Sequence, residues 1–159
     1  MKRNNWLRVL IAGTLLVLCI WFIWSNSLLD AYASGLRSQA VAQFIARELA
    51  KVLGPRSPIV RFVLLNIRKI AHAVEFFVLG ALSALMLIVL RRTSVHMILH
   101  AVLLCLFVAV ADESIQIFTG RGAMVQDILL DFGASLAGML VMAAVWGIVL
   151  RIGRMFQTE

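Results

Sequence analysis

Long apolar stretches broken by short polar ones dominate the chain. A hydrocarbon layer of about 30 Å takes roughly 20 mostly apolar residues per helix, and four stretches meet that length. They run from about Leu7 to Trp24, Ile70 to Leu90, Val95 to Phe118 and Ile128 to Leu150. Trp21 and Trp24 suit an interfacial aromatic belt. Arg91-Arg92 closes the second stretch, the Gly120-Arg121-Gly122 turn the third, and Arg151 with Arg154 the fourth. Backbone polar groups inside a bilayer must be satisfied internally, so the expected fold is all-α. It is a polytopic membrane protein of four transmembrane helices, read as one domain over residues 1–159.

The connection from Ser25 to Arg68 has its own pattern. Between Gly35 and Gly54, apolar residues fall at Leu36, Ala40, Val41, Phe44, Ile45, Leu49 and Val52, with Arg37, Arg47, Glu48 and Lys51 elsewhere. That spacing predicts an amphipathic helix over about 35–54, stopped by Gly54-Pro55 and Pro58. A basic helix of this kind lies in the membrane interface or caps the bundle. The alternative is an ordinary surface helix packed on the bundle.

Composition sharpens this picture. Of 159 residues, 62% are hydrophobic and only 14% charged, against about 25% charged in a soluble domain. The net charge of +7 is explained by anionic lipid attracting juxtamembrane cations, without nucleic acid. Cys19 and Cys105 both sit in apolar runs and suggest no disulfide framework or metal finger. Lys2, Arg3 and Ala31-Tyr32-Ala33 imitate a signal peptide, but the apolar run is long for one, so the segment is expected to remain. Basic residues divide almost evenly between the two sides. The flank of the first span, Lys2, Arg3 and Arg8 against Asp30, favours an N-in, C-in orientation.

Against this apolar background, polar side chains at membrane depth are costly and mark function or mutual pairing. Lys69, His72 and Glu75 open the second span, within an arc of about 120° on one helical face. Asp112, Glu113 and Gln116 lie near the end of the third, and Asp127 and Asp131 open the fourth. Those three span ends share one side of the membrane whichever way the chain inserts, and Arg121 is on that side too. The opposite ends carry only His96, His100 and Arg8. Chain alternation alone therefore gathers the polar residues into one layer.

Carboxylates crowded in low dielectric cannot all ionise freely, a condition suited to acid–base work or proton carriage. In that reading His72 with Asp112 or Glu113 moves protons, and Glu75 and Asp131 orient them. Lys69 and Arg121 hold an anion such as phosphate, with Gln116 and Asp127 supporting. No dedicated metal-ligand spacing occurs and no cofactor is expected, although a His among carboxylates is also a divalent-cation donor set. A purely structural alternative makes the cluster an inter-helix clasp that fixes packing. A third, a proton-linked transporter, needs polar stepping-stones through the other half of the spans. Ala134 and Gly138 on the fourth span form a small-xxx-small pair for close helix packing.

The run Lys69-Ile70-Ala71-His72-Ala73-Val74-Glu75-Phe76-Phe77, then Leu79-Gly80, resembles the second-span signature of VanZ-like membrane proteins. Asp112-Glu113-Ser114-Ile115-Gln116-Ile117-Phe118, Gly120-Arg121, Asp127-Ile128, Asp131 and Gly133 through Gly138 resemble the later signature in order and spacing. Ser25 after Trp24 is similar to the serine that commonly ends the first span. The insertion around residues 30–60 and Phe76 in place of a tyrosine depart from the pattern. The resemblance covers about residues 15–145. It implies a multi-pass protein of the bacterial cytoplasmic membrane, in a family whose founding member is associated with reduced teicoplanin susceptibility. The expected partners are membrane lipids and a phosphorylated or lipid-linked envelope component, which the chain binds or modifies.

Overall fold

The computed structural model describes residues 5–122 and 124–155; Lys2 and Arg3, which carry the orientation reading, lie outside them. Five helices and no strands occupy the described residues: α1 (Asn5–Ser27), α2 (Ala31–Leu53), α3 (Pro58–Leu90), α4 (Val95–Phe118) and α5 (Val125–Met155). Four of them, α1, α3, α4 and α5, are long and apolar enough to cross a membrane. The protein is therefore an all-α membrane protein, as the apolar pattern predicts.

Helix α3 is the hub, packed against each of the other four and most extensively against α5. That contact is close because two glycines permit it. A Cβ at Gly80 would overlap the carbonyl of Ser135, and one at Gly138 would overlap the carbonyl of Phe77. Ile23, Phe76, Leu79, Cys105, Val108 and Ala109 fill the centre between α1, α3 and α4. Large apolar side chains such as Val17, Trp21, Phe107, Leu129 and Leu140 point outward. A water-soluble protein would not expose so continuous an apolar mantle, whereas lipid covers it at no cost.

Two helical boundaries differ from the sequence expectation. Pro58 does not only end the preceding segment; it also starts α3 at its first turn, behind the N-cap Ser57, where proline's missing N–H is harmless. The 33 residues of α3 make a rod about 50 Å long, so a dozen residues extend beyond the apolar span. Helix α2 begins at Ala31, capped by the Asp30 carboxylate on the Ala33 N–H at 2.7 Å, and ends at Gly54 with φ +82°.

Helix α2 packs on α3 through small residues: Ser34, Ala42 and Ala46 are buried. Several of its large apolar residues face away, Phe44 being 66% exposed, while Ile45 and Leu49 are half-buried. The stripe of Leu36 and Phe44 is thus not used against the bundle. It is left to the surroundings, which matches a helix lying at a lipid interface more closely than one packed by its apolar face.

Candidate functional site

The polar residues do meet in one layer at one end of the bundle. At the end of α1, the Ser27 hydroxyl donates to Asp112 Oδ1 at 2.6 Å. Asn26 Nδ2 donates to Glu75 Oε1 at 3.1 Å. Gln116, one helical turn beyond Asp112, donates through Nε2 to Asp112 Oδ2 at 2.9 Å and to Glu113 Oε1 at 3.0 Å. The second oxygen of Glu113 accepts the Met124 N–H at 3.1 Å, tying α4 to the entry of α5. All of Ser27, Asp112, Glu113 and Gln116 are buried.

His72 projects from α3 into the centre of the layer. Its Nδ1 faces Asp112 Oδ2 at 3.7 Å and Asp131 Oδ2 at 3.6 Å. Asp131, on α5, is fully buried, and neither of its oxygens has a hydrogen-bond partner. The Ser135 hydroxyl one turn later bonds the Asp131 backbone carbonyl and not the carboxylate.

Arg121 enters from the connection between α4 and α5. Gly120 takes φ +71°, a left-handed turn that glycine adopts freely. The Arg121 N–H then closes the end of α4 on the Gln116 carbonyl at 2.9 Å, which turns the side chain back into the bundle. Its Nη1 donates to the Asn26 carbonyl at 3.1 Å, and its buried Nε has no partner. Burial, and then the nearby Arg68, lower the guanidinium's pKa from its ordinary value, while Asp112, Glu113 and Glu75 oppose the shift.

Two cavities flank His72. One of about 200 Å³ is walled by α1, α2 and α3 and includes Arg37, Arg68, Arg121, Glu75 and Ser34. The other, about 230 Å³, lies toward α5 and includes Arg68, Lys69, Glu113, Asp127 and Asp131. Lys69 is half-exposed and faces Asp127 Oδ1 at 3.4 Å, so the structure puts these two at the rim of the second cavity. Glu75 lines the first. His96 and His100 lie at the far end of α4, with His100 Nδ1 on the His96 carbonyl.

Three residues that sequence reasoning passed over belong to the layer. Arg68 lines both cavities and donates to Gln116 Oε1 at 2.5 Å. Asn26 and Ser27 bring the end of α1 into the network. Both sit at the span end that chain alternation assigns to the same side, so that signal was available for them. Ser25, the serine of the resemblance, bonds its own helix at the Phe22 carbonyl.

A family model described as VanZ/LLP1 matches residues 10–148. No curated protein and no solved structure matches.

Proposed function

The chain belongs to the VanZ/LLP1 family, and we propose that it binds a phosphorylated or lipid-linked component of the bacterial envelope in the arginine-walled cavity beside His72. One observation carries this reading. Arg121, only 6% exposed, shares that cavity with Arg68 and Arg37, and has an unpartnered N–H. Guanidiniums brought together in low dielectric repel one another and are relieved by an anion, with a phosphate suited to their paired N–H groups. Arg68 and Arg121 hold the anion, while Lys69, engaged with Asp127, acts at the rim. The His72, Asp112 and Asp131 cluster is the part able to act on what the arginines hold. An acyl or prenyl tail of the ligand would run along the exposed apolar side chains of α2 into lipid.

The N-in, C-in orientation belongs to this proposal and sets the polar layer at the extracytoplasmic face of the cytoplasmic membrane. A changed teicoplanin susceptibility on deletion of the gene is its physiological consequence. The α4 side of the layer supports a second, structural reading for its own residues, because Gln116 and the Met124 N–H satisfy Glu113 completely.

The test uses purified full-length protein in lipid nanodiscs with radiolabelled lipid-linked phosphates from bacterial envelopes. Retention by the native chain, with at least a tenfold loss in Arg68→Gln and Arg121→Gln, is expected. Equal retention by all three chains, or none by the native one, refutes the reading.

A further inference from the structure

We propose that His72, Asp112 and Asp131 form a binding site for one divalent metal ion of the zinc or manganese type. The three side chains come from α3, α4 and α5, and one ligand atom from each lies within 4.8 Å of the others. The same imidazole nitrogen, Nδ1, faces both carboxylates, at 3.7 and 3.6 Å. A charge-assisted N–H···O bond closes to about 2.7–2.9 Å, so neither pair is hydrogen-bonded. Two ligands of one ion, each about 2.0–2.2 Å from it, stand about 3.3–3.7 Å apart at tetrahedral-like angles. The two gaps from His72 have that span, and the two carboxylate oxygens lie within 4.8 Å of each other.

An independent observation points the same way. Asp131 is fully buried with both oxygens unpartnered, in the direction of His72 Nδ1. An isolated carboxylate in low dielectric costs several kcal/mol, and a cation between Asp131 and Asp112 removes that cost. Asp112 is held as a metal ligand is usually held, from behind. Ser27 fixes Oδ1 and Gln116 braces Oδ2 from the side, the kind of outer support that orients ligating carboxylates.

The donor set narrows the ion. One imidazole with two carboxylates suits zinc or manganese, whereas magnesium and calcium prefer all-oxygen surroundings. His72 and Asp131 both line the second cavity, which leaves the remaining coordination positions open to water or to an oxygen of a bound anion. Nothing in the donor set depends on which anion the arginines hold, so loss of metal and loss of anion binding are separate outcomes.

The test is metal uptake by full-length protein in detergent, stripped with chelator, equilibrated with Zn²⁺ or Mn²⁺ alone and desalted. Elemental analysis should find one ion per chain, and Asp131→Asn should lose it. Ser27→Ala, which reaches the ion only through Asp112, should weaken binding by about 10- to 100-fold. Should Asp131→Asn fail to fold, the native manganese form is read by electron spin-echo spectroscopy, where coupling to one imidazole nitrogen is expected. No retained ion in the native chain, equal uptake by Asp131→Asn, or manganese without nitrogen coupling overturns the proposal.

Discussion

Glu113 and Asp131 are both buried acids of the same polar layer, on helices α4 and α5, yet they are treated in opposite ways. Glu113 has one oxygen on Gln116 and the other on the Met124 N–H. Asp131 has a partner on neither. The α4 side is closed, each acceptor met by a donor, and it joins α1 and α4 to the entry of α5. The α3–α5 side is open: neither Asp131 oxygen accepts a hydrogen bond, and the His72 Nδ1 that faces it stands 3.6 Å away. Buried polar groups are almost always satisfied in a folded protein. A buried acid left without hydrogen bonds on one side of a layer whose other side is complete marks where the molecule is built to meet something else.

Changes in the shared frame should damage both sides together, and most severely. Gly80→Ala drives a Cβ into the Ser135 carbonyl one turn from Asp131, and overpacking against backbone of this kind costs about 3 kcal/mol. The expected result is a large fall in thermal stability and loss of any ligand binding. Next comes the closed side, with the Arg68 that Gln116 anchors. Gln116→Ala leaves one acceptor on Asp112 and one on Glu113 unmet, for a loss of about 2 kcal/mol, readable by thermal unfolding. The smallest effect is expected at the rim. Lys69→Ala removes a half-exposed pair with Asp127, worth below about 1 kcal/mol, so stability should hardly move; unfolding at low and high salt checks this.

Span number and the sidedness of the polar layer follow from hydropathy and chain alternation, because neither depends on how helices rotate. The dozen residues at the start of α3 were hidden, since Arg61, Arg68 and Lys69 lower their hydropathy and Pro58 reads as a stop. Arg68 was hidden for a different reason. It stands one residue, about 100° around the helix, from Lys69, and only the packing of α3 decides that Arg68 reaches both cavities while Lys69 stays at the rim of one. The outward stripe of α2 was visible, but which face met the bundle was not, because Ser34, Ala42 and Ala46 carry no hydrophobic signal. The contrast between Glu113 and Asp131 lies beyond any sequence pattern, for it depends on which donors arrive from other helices.

The most direct measurement compares thermal unfolding of chelator-treated protein carrying Glu113→Gln with that carrying Asp131→Asn. Each substitution removes one negative charge at nearly constant shape. At Glu113, one oxygen becomes a donor facing another donor, so the account predicts a loss of about 1–3 kcal/mol. At Asp131, the change removes a buried charge that accepts no hydrogen bond, so stability should hold or rise, as at sites where strain is kept for function. Equal losses in the two variants would contradict the division of the layer into a closed side and an open one.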